Sequence, residues 1–394
     1  MGMEWKECKL GDYCDAQNGF AFNSISFIED GKYNVIKIKE LKDGGILFTT
    51  DTAKVDDSEK IEKYKVYKDD VLFALTGDPV GRPNPLSRVG RVSRYNNTIP
   101  AVLNQRVCKL LFSSEIDSKF VYYYFRQDNV FYTLASCAKG SASQANISTK
   151  DILNTNIRIP QNIEDQRRIA DILSSLDAKI ENNNKINAKL EEMAQALFKS
   201  WLSTCEDEVT IGDLSLNITD YTKCDKERVV LINSSDVTEG KFDHHNYSEN
   251  KDLKGHFKKR FKKGDILYSQ VRPRNRHWAY CTVDGDDYLA STQLMVIRNN
   301  ADIIPSILLY QYIISEDVWM EFTLKTETRS GTFPQGNYEE ISSIKVPFGA
   351  DCKEISEKLD SIYAKVYSNV EENRRLTSLR DTLLPKLMSG EIEL

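Results

Sequence analysis

The sequence predicts an α+β chain with a pseudo-twofold internal repeat. Two similar globular blocks, residues 1–158 and 204–347, are separated by two long helical segments, 159–203 and 348–394, expected to pair as an antiparallel coiled coil. Three observations predict this. Residues 169–201 align without a gap onto 355–387, with nine identical pairs where chance gives about two. Each copy closes a block carrying the same order of short strand-like runs. Finally, 394 residues exceed what a single core usually holds, so more than one domain is expected.

Taken in order, each block opens on a similar turn, Leu10-Gly11-Asp12 or Ile211-Gly212-Asp213. An apolar strand then leads to a glycine turn, Val35–Ile38 to Gly44 and Val230–Ile232 to Gly240. Lys68-Asp69-Asp70-Val71-Leu72-Phe73 matches Lys263-Gly264-Asp265-Ile266-Leu267-Tyr268, a polar turn feeding a β-branched and aromatic strand. Loops rich in Pro, Gly, Asn and Arg follow, 76–85 and 270–277. Next come a strand holding Gln105 or Gln293, one helix (120–128; 307–315) and a polar loop (139–146; 328–337). Ile157–Pro160 and Ile344–Pro347 end the blocks, proline marking the step into each long helix.

The helical copies have a readable register. Apolar residues stand at Ile169, Leu173, Leu176, Ile180, Leu190 and Leu197, and again at Ile355, Leu359, Ile362, Val366, Leu376 and Leu383. That is the narrow seam of a coiled coil. Asn183 and Asn187 recur as Asn369 and Asn373 within it, and a buried Asn fixes register at some cost in stability. Each helix leads away from its own block, so the pairing should be antiparallel, with Asn183 opposite Asn373 and Asn187 opposite Asn369. A helix of about 39 residues reaches nearly 60 Å.

Composition excludes several classes. With 40% apolar and 28% charged residues and no apolar run near membrane length, a cytoplasmic chain without membrane contact is expected. Met1–Leu10 carries Glu4, Lys6, Glu7 and Lys9, unlike a signal peptide, and Lys6 stands where a myristoylation motif needs Ser or Thr. The eight cysteines are scattered without a C-x-x-C pair and read as reduced. The four histidines, His244, His245, His256 and His277, have no cysteine at ligand spacing, so no metal is expected. No nucleotide-binding glycine motif occurs.

The net charge of −6 hides local excess. Nine Lys/Arg and one acid lie between Leu253 and Trp278, and six basic residues face Asp78 alone between Thr76 and Lys109. Recurrence at matching places suits a phosphate-binding surface, although a merely solvated basic face is the alternative for either patch alone.

The chain resembles the specificity subunit of type I restriction–modification enzymes. The resemblance rests on Trp5-Lys6-x-x-Lys9-Leu10-Gly11-Asp12, Asp70–Phe73, Gly264–Tyr268, Gly140-Ser141-x-x-Gln144-x-Asn146-Ile147 and Pro160 followed by Glu164–Ala170, in that repeated order over the whole chain. It implies that each block is a target recognition domain reading half of a split, asymmetric double-stranded DNA site. The helices would set the gap and dock two methyltransferase (modification) subunits, which recruit restriction subunits. This subunit would be non-catalytic and hold no cofactor, S-adenosylmethionine and ATP belonging to its partners. Gly331-Thr332-Phe333-Pro334-Gln335 departs from the first block's pattern, leaving contact roles there less defined. A stand-alone enzyme, or a coiled-coil scaffold that binds no DNA, is the alternative.

The loops supply the candidate DNA contacts. In the second block these are Gln270, Arg272, Arg274, Asn275, Arg276 and His277, with Arg suited to guanine and Gln or Asn to adenine. Thr76, Asp78, Arg82, Asn84 and Arg88 are their first-block equivalents. The later loops add Lys139, Ser141, Ser143 and Gln144, and Arg329, Ser330 and Thr332. Most such contacts go to phosphate and carry no sequence information.

Overall fold

A computed structural model describes residues 3–42, 45–78, 89–141, 144–251, 256–283, 285–327, 334–349 and 351–394. The chain forms two compact units, Met1–Glu181 with Asn373–Leu394, and Asn182–Glu372. These boundaries cut both long helices near their middles instead of falling at their ends. The reason is packing: each half-helix contributes to the core of one block, so it counts with that block.

In the first unit the central strand Val71–Ala74 is buried throughout. It lies between Val92–Arg94 and Val107–Phe112, with Cys14–Asn18 at the edge, all antiparallel. Alternation sorts its side chains: Val71 and Phe73 join the helices' core, while Leu72 and Ala74 meet a second sheet. That sheet runs Lys54–Val55, Tyr33–Ile36, Ala101–Leu103, Lys65–Val66, with a parallel pair at its centre.

The second unit repeats this layout independently. Ile266–Ser269 lies between Trp278–Tyr280 and Leu294–Asn299, with Ser215–Asn217 at the edge. Its second sheet again has a parallel centre, Arg228–Ile232 beside Tyr288–Ser291. Even the turn before the central strand is reproduced. Asp69 and Gly264 both take left-handed backbone (φ 75° and 87°), and Asp70 and Asp265 each accept from a backbone N–H three residues earlier at 2.9 Å. Asp265 is fully buried and grips Arg298 through two bonds of 2.6 and 2.7 Å. Burial raises the Asp70 carboxyl above its usual range.

Two expectations need correction. At the place where one helix was predicted, each block has two in succession: Ser118–Arg126 then Asp128–Ser136, and Ser306–Ile314 then Glu316–Glu327. A single extended residue, Gln127 or Ser315, separates them. The polar stretch after them in the first block is not a plain loop, since Lys139–Ser141 pairs antiparallel with Gln144–Asn146.

The long helices are Ile163–Leu202 and Lys353–Ser389. Within each unit their segments run antiparallel. In the first, Arg380 bonds Asp177 at 2.7 Å, while Ile169 and Leu173 share a core with Leu384 and Leu387. In the second, partners descend from Glu372 to Val366 as Asn183 gives way to Asn187. Asn369 Nδ2 donates to Asn187 Oδ1 at 2.8 Å as the register predicts, and Asn183, Asn187 and Asn369 are buried. Asn183 donates to Glu372 at 2.8 Å, one residue from its expected partner Asn373, which is half-buried and belongs to the other unit. No helix among the described residues is long and apolar enough to cross a membrane.

Candidate nucleic-acid interface

In the second block the strand Ile266–Ser269 runs out into the arginine loop, and the loop is built by its own backbone. Gln270 N–H donates to Gln293 O at 2.9 Å and Ser269 N–H to His277 O at 2.8 Å, closing its base. Arg272 N–H donates to Pro334 O and Gly336 N–H to Gln270 O, so the later polar segment lies alongside. Arg272 and Arg276 both adopt left-handed backbone, φ 48° and 53°, around the 3-10 turn Pro273–Asn275. Left-handed backbone is disfavoured for long side chains, and strain of this kind collects at functional sites.

The side chains divide into supports and presenters. Pro273 is buried, and its carbonyl accepts from Trp319 Nε1 at 2.9 Å. Arg276 stacks 4.0 Å from the Trp319 ring centre and binds Glu316 at 2.7 and 3.0 Å. His277 is fixed to Val237 O at 2.8 Å. Arg274 is exposed and pairs with Glu327, and Arg272 and Asn275 are also exposed. Gln270 is half-buried at the loop base.

The first block has the same strand-end arrangement with other residues. Thr76–Gly77 pairs with Ala145–Asn146, bringing the two predicted loops together. Thr76 is 4% exposed, and its hydroxyl donates to Asn146 Oδ1 at 2.7 Å, tying the strand end to the hairpin. Arg106 Nη1 reaches that same Asn146 oxygen at 3.3 Å. Asp78 is half-buried, and Lys139 and Gln144 are exposed. Gly140 is at φ 153°, where an added Cβ would meet Gln144 O at 2.1 Å. Arg82, Asn84, Arg88, Ser143, Arg329, Ser330 and Thr332 lie outside the described residues, as does the side chain of Ser141.

Sequence reasoning missed the acidic and aromatic partners Glu316, Trp319 and Glu327, which stand on the unforeseen helix. It also missed an open concavity of about 930 Å³ in the second block, whose lining mixes Lys223, Lys226, Arg228 and Lys258 with Asp225, Glu227 and Glu249 beside Tyr221 and Tyr247. The spacing of those three basic residues from 223 to 228 was the available signal. Among the described residues no group of His, Cys, Asp or Glu is placed to hold a metal.

Comparison with known proteins agrees with the duplicated architecture. A specificity subunit of the type I restriction enzyme HindI from Haemophilus influenzae is 36% identical over 186 residues, 46% of this chain and 40% of that protein. The MjaVIII specificity subunit from Methanocaldococcus jannaschii is 27% identical over 202 residues, 51% of this chain and 46% of its own length. The alignments thus span less than half of these relatives. The crystal structure of a type I restriction–modification S subunit from M. genitalium shares the fold, with a TM-score of 0.61 at 18% identity, covering 98% of this chain and 96% of that one. Residues 3–192, just under half of the chain, match the family described as the type I restriction modification DNA specificity domain.

Proposed function

We propose that the chain is the non-catalytic DNA-reading subunit of a type I restriction–modification complex. Each block reads one half of a bipartite, asymmetric double-stranded site, and the helices set the spacing and dock two methyltransferase subunits. Restriction subunits join through those. The partners supply S-adenosylmethionine and ATP chemistry. The observation that carries this reading is the repetition of one strand-end platform in two units with different side chains on it. Two similar platforms suit two segments of one polymer, and different residues suit different sequences.

In the second block, Arg272, Arg274 and Asn275 reach the DNA, while Arg276 and His277 hold the loop and Gln270 its base. Arg274 gives up Glu327 readily, because an exposed ion pair contributes only about 0–1 kcal/mol. In the first block, Lys139 and Gln144 contact DNA and Asp78 accepts from a base amine, with Arg82, Asn84, Arg88, Ser141 and Ser143 on the same loops. Arg329, Ser330 and Thr332 complete the second site. Mapping methylated adenines in cells that express this chain with its methyltransferase tests the proposal. A split, non-palindromic motif is expected. Methylation that does not depend on this chain, or no mobility shift with both subunits present, refutes it.

A further inference from the structure

The helix Ser118–Arg126 and its counterpart Ser306–Ile314 sit on the long helices at equivalent positions, yet the chemistry of the two seats is opposite. In the first unit Asp177 accepts from Tyr123 Oη at 2.6 Å and from Arg380 Nη1 at 2.7 Å. The pair is largely withdrawn from water, at 20% and 11% side-chain exposure. Around it, Arg126 donates to Tyr122 Oη at 2.6 Å, Asn96 reaches Glu181 at 3.4 Å, and Arg94 lies 5.6 Å from the Tyr122 ring.

The second unit places Tyr363 where Asp177 stands, Tyr367 where Glu181 stands and buried Ala194 where Arg380 stands. Gln311, Ile314 and Tyr280 replace Tyr123, Arg126 and Arg94, while Tyr310 keeps the place of Tyr122. Its seat is made of rings. Tyr280 stacks on Tyr367 with centres 5.8 Å apart, Tyr310 meets Tyr363 edge-on at 5.6 Å, and Gln311 Nε2 donates to Tyr363 Oη at 2.9 Å.

We propose that the two seats are keyed: each block assembles only over the helix residues of its own unit. A first block placed over the tyrosine layer would leave the buried Tyr123 hydroxyl without its Asp177 acceptor and Asn96 without Glu181, and stranding a buried polar group is costly. The same key acts between chains. In the register seen here, the first long helix paired with a second copy of itself would set Asp177 opposite Ala194 and leave the carboxylate without its guanidinium.

The test uses the full chain and hydrogen exchange of residues 118–126 and 306–314. Asp177→Tyr/Glu181→Tyr/Arg380→Ala gives the first unit the second unit's helix layer. Protection of 118–126 should fall at least about tenfold while 306–314 is unchanged. Adding Arg94→Tyr, Tyr123→Gln and Arg126→Ile converts the block side as well and should restore it. Native protection in the triple variant, or no recovery in the sextuple one, overturns the proposal. If the triple variant does not fold, Asp177→Asn, Arg380→Gln and their combination form a milder cycle. Purely additive effects on exchange there overturn it too.

Discussion

Replacing Asn187 by leucine tests the polar layer inside the second unit. Asn187 accepts from Asn369 at 2.8 Å and donates to the Val366 carbonyl at 3.3 Å, with the two side chains only 2% and 1% exposed. In N187L the Asn369 amide loses its acceptor while it stays buried, which costs about 1–3 kcal/mol. N369L strands the Asn187 carbonyl oxygen and costs a similar amount. Removing both polar groups at once leaves nothing stranded, so N187L/N369L should be near neutral. For a unit of this size each kcal/mol moves the melting point by about 2–4 °C, so each single variant should melt about 2–12 °C lower. Scanning calorimetry of the three variants, following the transition of the second unit, reads this directly. A double variant destabilised by the sum of the singles would show that the two amides are not partners, and the register argument would fail.

Other outcomes follow from the same geometry. Gly140→Ala forces a Cβ onto the Gln144 carbonyl and should abolish reading of one half-site while leaving the other, as seen by methylation sequencing. Alanine at Arg272, Arg274 and Arg276 together should weaken DNA binding, by about 1–3 kcal/mol for each guanine that an arginine no longer grips, and should flatten the salt dependence for each phosphate left unneutralised; unchanged affinity in a titration would remove the loop from the interface. Arg298→Met leaves fully buried Asp265 without its cation and should cost about 3–5 kcal/mol in chemical denaturation. Exchange of residues 1–158 for another such block should alter one half-site only, and should fold well only when positions 177, 181 and 380 are exchanged with it.

The repeat, the central strands and the Asn187–Asn369 pairing were legible because each leaves a periodic trace in the sequence. Paired copies of Asn at one offset cannot be mistaken for surface polarity. The second helix of each block left no such trace. Gln127 and Ser315 break the helices by turning extended, with neither the proline nor the glycine that marks a stop. Charge counts found the arginine loop but could not say which cations were already held. Glu316, Trp319 and Glu327 approach it only through folding. The Thr76 hydrogen bond was hidden for the same reason, since its partner Asn146 lies 70 residues away. The keyed seats were invisible because they join positions on three separate segments.

The strands that open and close each block pair with one another: Trp5–Lys9 with Asn156–Pro160, and Asp207–Thr210 with Lys345–Phe348. Each block therefore leaves the chain and returns to it at neighbouring points, the arrangement in which inserted domains are best tolerated. Homologous recombination within the duplicated helix-coding stretches could replace everything between such points in one event. The new block would arrive with its own closing strands, but its seat would be coded outside the exchanged DNA unless the crossover fell beyond codons 177 and 181. Position 380 lies in a separate stretch altogether. A population that acquires new recognition sequences by this route should accordingly carry the traces of crossovers that respect the seat, with second-site changes at codon 380 following those that do not.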